Sequence, residues 1–203
     1  INLVLCIVVA AVLHRYKNKF TDLIDTILTL PMVLPPTVLG YYLLVCFGQE
    51  SSLGRLLESL GIQLIFTIKG AILAAAFVTF PLVLKPIQAA FDQIPQVLKD
   101  ASKVIGLKSW QTLLVVIIPL SWESVLAGLL LGFARGLGEF GATLMIAGSI
   151  PGKTQTISIS ICEAVQAGND QLANVLVGII SVVCIIILFA VKRMNKQTWK
   201  QRC

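Results

Sequence analysis

Few side chains in this sequence are of types that do covalent chemistry, and their spacing forms no catalytic set. His14 is the single histidine, which removes most nucleophile–base triads and histidine-based metal sites. The five cysteines, Cys6, Cys46, Cys162, Cys184 and Cys203, form no CxxC pair. Three of them lie in apolar runs, where a thiol behaves as a small hydrophobe. No disulfide framework, metal site or cofactor is expected. One stretch imitates a nucleotide loop: Ala147, four residues, then Gly152, Lys153 and Thr154 fit [AG]-x4-G-K-[ST]. That motif works between a buried strand and a helix N-terminus, where backbone N–H groups surround the phosphates. Here it follows an apolar run and falls outside any soluble domain, so the chain is not read as an ATPase. Glu123 and Glu139 lack an evident nucleophile partner. Arg135 and Glu139 stand four apart, deep in an apolar stretch, where a charge is expensive unless it is paired or faces a cavity. They are read either as a structural ion pair or as part of a pathway.

The elements that carry these residues are membrane helices. The chain has 203 residues, 57% hydrophobic and 13% charged, with a mean hydropathy of +0.89. Soluble domains are nearer about 25% charged. The apolar runs are uninterrupted, without the alternation of a membrane barrel. The fold class expected is therefore an all-α integral membrane protein with about five spans, at residues 1–13, 24–47, 70–90, 121–147 and 172–191. Thirteen residues cover only about 20 Å of helix, short of a bilayer core of about 30 Å, so the first span is expected to be truncated at its upstream end. Pro31, Pro35 and Pro36 predict a kink or unwinding in the second span, and Pro81 lies near the middle of the third. Ser121 is expected to cap the fourth span, with Glu123 in its positive first turn. Gly128, Gly132 and Gly136 put three glycines on one face of that span, a spacing that lets membrane helices pack closely. Residues 48–69 and 148–171 read as polar loops.

The basic residues orient the spans. Arg15, Lys17 and Lys19 follow the first span, with His14 in the same basic loop. Lys85, Lys99, Lys103 and Lys108 border or occupy the central loop. Lys192, Arg193, Lys196, Lys200 and Arg202 form the tail. These twelve of 16 lie on one face of an alternating topology; Arg55, Lys69 and Lys153 lie on the other, and Arg135 within a span. The positive-inside rule puts the twelve in the cytoplasm. The net charge of +6 is thus a topology signal, not a nucleic-acid footprint.

The central loop, about residues 92–119, carries a short amphipathic helix. Val97, Leu98, Ala101, Val104 and Ile105 share one face, Pro95 suits the first helical position, and Gly106 suits the left-handed residue that ends a helix. Such a helix is too short to cross a bilayer. It lies on the membrane surface or docks its apolar face into another protein.

The stretch Asp100-Ala101-Ser102, Gly106, then Val116-x-Ile118-Pro119 resembles the cytoplasmic loop of binding-protein-dependent ABC importer permeases. Their pattern is Glu-Ala-Ala, three residues, Gly, nine residues, Ile-x-Leu-Pro, and here every spacing holds while several residue types differ. FARGLGEFGATLMIAGSIPGKTQT and LPMVLPPTVLGYYLLV resemble molybdate permeases, and sulfate permeases match them less well. The resemblance covers nearly the whole chain. It implies a single permease domain, residues 1–203, in a bacterial cytoplasmic membrane, translocating molybdate, with tungstate as a second candidate. It also implies a homodimeric channel in membrane lipid, a cytoplasmic ABC ATPase dimer, an extracytoplasmic oxyanion-binding protein and no nucleic acid. Asp100, Ala101, Ser102, Gly106 and Pro119 are the expected ATPase-coupling residues. Pro35, Pro36, Thr37, Arg135, Glu139 and Thr143 are the candidates for the translocation pathway. A sulfate or thiosulfate permease is the nearest alternative. A membrane-embedded enzyme and a scaffold protein are the others.

Overall fold

The computed structural model describes residues 2–16 and 18–200, with side chains as far as Arg193. Lys17, Arg202 and Cys203, and the side chains of Lys196 and Lys200, lie outside the described residues. Every regular element among the described residues is helical. In chain order these are α1 (Asn2–Arg15), α2 (Lys19–Thr29), a 3₁₀ turn (Leu30–Met32), α3 (Pro36–Phe47), α4 (Ser52–Ser59) and α5 (Ile68–Gln93). There follow α6 (Gln96–Val104), α7 (Ser109–Thr112), a π-helical turn (Leu113–Ile117) and α8 (Ile118–Leu137). The last three are α9 (Gly141–Ala147), α10 (Ile157–Gln166) and α11 (Asp170–Lys200).

Three stretches are long and apolar enough to cross a membrane: Ile68–Gln93, Ser109–Leu137 and Asp170–Arg193. The α2/α3 pair makes a fourth if it counts as one broken span, and α1 and α10 are shorter apolar helices. The break at the prolines of the second span is as expected, and the fourth span differs from its expected bounds at both ends. No continuous helix runs through residues 24–47, because the prolines break it between α2 and α3; Pro36 then opens α3, where its missing N–H costs nothing. The fourth span starts at Ser109, twelve residues before Ser121. Ser121 caps nothing; its hydroxyl donates to the Ile117 carbonyl, 2.7 Å away, inside the helix, so Glu123 is not in a first turn either. The π-helical turn just ahead of Pro119 explains the miss. A proline ring clashes with the carbonyl four residues back, and a locally widened turn absorbs that clash without ending the helix. The same span stops at Leu137 rather than Ala147, and α9 follows as a separate helix.

Both polar loops also contain helices. Ser51 caps α4 by accepting from the Gly54 N–H at 2.8 Å, and Thr156 caps α10, each satisfying a first-turn donor. His14 belongs to the last turn of α1 and not to a loop.

The chain packs as two compact units, each drawn from separated segments. One comprises the chain up to Thr29, Phe80–Gly132 and the chain from Ile187; the other comprises Leu30–Thr79 and Phe133–Ile186. The first has a core of Cys6, Ala10, Val83, Leu84, Ile87, Phe91 and Val125. Within it Lys85 Nζ lies 2.6 Å from Asp25 Oδ2, tying α2 to α5. The second has a core of Leu39, Leu43, Ala74, Val78, Ala142 and Ile146. The glycine face of α8 meets α5 of its own chain: a Cβ on Gly128 would stand 3.2 Å from Pro86 Cβ, and one on Gly136 would stand 3.4 Å from Thr79 Cγ2. Gly132 is buried between these two positions.

Candidate functional site

The central helix α6 begins one residue later than expected, with Pro95 in extended geometry as its N-cap. It ends in the hydrogen-bond pattern that a left-handed residue makes possible. Gly106 has φ +87°; its N–H donates to the Lys103 carbonyl at 2.9 Å, and the Leu107 N–H donates to the Ser102 carbonyl at 3.0 Å. These two bonds satisfy carbonyls that the helix end would leave open. Nothing lies within 4 Å of a Cβ added at Gly106. The glycine is required there by backbone conformation, not by space.

The apolar residues of α6 are exposed, while Ser102 and Lys99 turn inward. Its inward side is polar: Ser102 is 3% exposed, donates to the Lys99 carbonyl at 2.7 Å and shares a 3.0 Å hydrogen bond with the Thr112 hydroxyl of α7. Lys99 Nζ reaches the Phe91 carbonyl near the end of α5 at 3.1 Å. Its outward side carries apolar residues beside the exposed Gln96, Asp100 and Lys103. Val97, Val104 and Ile105 are 76%, 88% and 78% exposed, and Ala101 is exposed among them. A nine-residue helix rises only about 13 Å, so this face does not cross a bilayer. Ser102, grouped with the coupling residues by sequence, fixes α6 to α7 and does not present itself on the outer face. Pro119 is exposed, at the start of α8. Asp100 is at the surface, where Lys103 Nζ at 2.9 Å and the Gln96 amide at 3.2 Å hold its carboxyl below the usual carboxylate range.

The pathway candidates belong to the other unit, and several of them meet where α8 breaks. Arg135 and Glu139 are not two turns of one helix. Arg135 lies in the last turn of α8, and Glu139 precedes α9, its Oε1 accepting from the Ala142 N–H at 3.0 Å. Each charge thus complements a helix terminus, cation at the C-terminal end and anion at the N-terminal end. Arg135 Nη1 stands 3.1 Å from Glu139 Oε2; the guanidinium is 39% exposed and the carboxylate 2%. The N–H direction misses that oxygen, which accepts no hydrogen bond among the described residues, so the contact is an ion pair alone. The Ser158 hydroxyl donates to the Leu137 carbonyl at 2.8 Å, closing the end of α8. At the start of α9, a Cβ on Gly141 would lie 3.2 Å from Pro36 Cβ and 3.3 Å from Thr37 Cγ2. Pro36, Thr37 and the Glu139 turn are therefore neighbours; Pro35 caps α3 at the exposed surface and Thr143 is buried in α9. In the nucleotide-like loop, Thr154 is 1% exposed. Its hydroxyl oxygen accepts from the Ile150 N–H at 3.0 Å and its O–H donates to the Gly148 carbonyl at 3.4 Å, so the hydroxyl closes its own turn.

A multi-helix membrane chain with a short solvent-facing apolar helix between two spans defines a class. The family described as "Binding-protein-dependent transport system inner membrane component" matches residues 3–200, and the chain belongs to it. It is a multi-pass membrane component of a transport system and not an enzyme. Within that class it is 39% identical over 202 residues to the molybdenum transport system permease protein ModB of Haemophilus influenzae, covering 97% of this chain and 88% of that protein. It is 32% identical over 195 residues to a probable sulfate transport system permease protein of Chlorella vulgaris, covering 96% of this chain and 72% of that protein. A chain from the crystal structure of a bacterial alginate ABC transporter, in complex with an alginate-bound periplasmic protein, superposes with a TM-score of 0.71 at 16% identity. That match covers 97% of this chain and 72% of the other. At that identity the likeness describes the fold alone.

Proposed function

We propose that this chain is the permease subunit of an ABC importer that carries molybdate, with tungstate as a second candidate, across the bacterial cytoplasmic membrane. The observation that carries the transport reading is the exposed apolar face of α6. A helix that leaves Val97, Ala101, Val104 and Ile105 outside, beside the exposed Gln96, Asp100 and Lys103, suits a protein partner that covers that face. The partner is a cytoplasmic ATPase dimer, and the central loop and C-terminus face the cytoplasm. The substrate reading is supported by the higher identity to the ModB protein than to the sulfate permease. In this mechanism ATP binding closes the ATPases, which move α6 and tilt the spans. A cavity between two copies of the chain opens outward, receives the oxyanion from an extracytoplasmic binding protein, and reopens inward after hydrolysis. Asp100, Ala101, Gly106 and Pro119 frame the coupling element. Pro35, Pro36, Thr37, Arg135, Glu139 and Thr143 are assigned to the pathway, where the part-exposed Arg135 guanidinium offers the positive charge an oxyanion needs.

Ala101→Asp tests the coupling. A charge placed in an apolar contact costs several kcal/mol unless it finds a partner, while the spans are untouched. The variant should reach the membrane at the normal level but release the ATPase, or hold it without stimulation by loaded binding protein. Wild-type behaviour in both assays removes α6 as the coupling element. For the substrate, deleting the gene should abolish a molybdoenzyme activity at trace molybdate, reversibly by excess molybdate, and leave growth on sulfate normal. A sulfate-growth defect with normal molybdoenzymes favours the alternative.

A further inference from the structure

The single histidine, set aside at the level of sequence, joins three helices of one unit. His14 Nδ1 of α1 lies 3.0 Å from Asp92 Oδ1 of α5, and His14 Nε2 lies 2.8 Å from Lys99 Nζ of α6. The donor assignment follows from the partners. A lysine ammonium only donates, so Nε2 must accept, which leaves the proton on Nδ1 to be donated to the Asp92 carboxylate. The imidazole is therefore neutral in this arrangement, a bridge between an anion and a cation. Lys99 spends a second proton on the Phe91 carbonyl at 3.1 Å, within the last turn of α5, where backbone acceptors lack helical partners. The Phe91 ring itself lies edge-on to the imidazole, with centroids 6.3 Å apart.

We infer that His14, Asp92 and Lys99 are positioning residues that transmit movement of α6 to α1 and α5. The inference rests on the coupling reading of α6 and adds to it the connection by which a push on that helix reaches the spans. Val97, Val104 and Ile105 of α6 are largely exposed, and Ser102 ties α6 to Thr112 of α7, which continues into the α8 span. Lys99 is the side chain by which α6 grips α1 and the end of α5. An apolar residue at position 99 or 14 would leave the docking face of α6 intact and cut that grip.

The test uses the full importer, with permease, ATPase and binding protein purified together. Lys99→Met and His14→Leu should each reach the membrane and retain the ATPase with its basal hydrolysis. Hydrolysis stimulated by loaded binding protein should fall by about tenfold, the usual scale of coupling between two sites. The double variant should be no worse than either single one, because both remove the same link. His14→Gln, whose amide offers one donor and one acceptor, should recover most of the stimulation. Stimulated hydrolysis in Lys99→Met within twofold of wild type overturns the inference. So do losses that multiply in the double variant, failed membrane insertion, or release of the ATPase, each of which gives the triad a role in folding or docking instead. Ala101→Asp, run alongside, separates the two hypotheses. If it is wild type, the coupling reading of α6 fails; if it is defective while Lys99→Met is normal, only the transmission role fails.

Discussion

The two units each hold one conspicuous polar cluster, and the clusters are built in opposite ways. In the unit that carries α6, the charged groups are part-exposed and join separate helices through hydrogen bonds, Lys99 to His14 and Phe91, beside a buried Ser102–Thr112 pair. In the other unit, Glu139 is buried between two helix ends and held by one ion pair and one backbone N–H. Removing a buried charge partner leaves an uncompensated group in a poor solvent, whereas a half-exposed group lets water replace what is lost. The Glu139 turn should therefore govern stability, while the α6 cluster should govern signal at small cost in stability.

The comparison breaks most readily at Glu139. Removing its counter-charge by Arg135→Met leaves the buried Glu139 carboxylate uncompensated and should cost about 3–5 kcal/mol. A large drop in the thermal unfolding midpoint of the detergent-solubilised importer would register it; an unchanged midpoint would erase the contrast between the units. Gly106→Ala comes next. A side chain in the left-handed conformation costs about 1–2 kcal/mol, so α6 should lose its helix end and stimulated hydrolysis should fall, with the midpoint nearly unchanged. Gly106→Asn, more tolerant of that conformation, should be milder. The smallest effect belongs to the exposed pair. The Asp100 carboxyl is held below its unfolded value of about 4, so its contribution is complete at neutral pH and is lost only as pH falls through the acid carboxylate range. Lys103→Ala should match wild type in ATPase co-purification at neutral pH. A clear loss there would mean that α6 also docks through its charged side.

Much of α6 was legible because short-range rules decide it. A proline at its start, a glycine at its end and five apolar residues at helical spacing point to residues 95–105 where Gln96–Val104 stands. Which way that apolar face turns was not legible, since periodicity says that a face exists and not what covers it. The start of the fourth span was missed because Ser121 and Glu123 read as a helix start, and a π-helical turn that absorbs Pro119 leaves no mark in composition. Arg135 and Glu139 were read as neighbours on one helix because a spacing of four cannot reveal a break at Gly138. His14 looked solitary because its partners, Asp92 and Lys99, are far along the chain. No local pattern links positions that distant.

The exposed face of α6 also bears on how such a subunit is made. Val97, Val104 and Ile105 are uncovered in the isolated chain, on a helix too short to hide them by spanning the bilayer. A copy synthesised without its ATPase carries a sticky patch into a crowded compartment, where exposed apolar surface invites aggregation and proteolysis. Supply of the two proteins would then need to be matched, and surplus permease would be cleared by the quality-control machinery that reads the same surface.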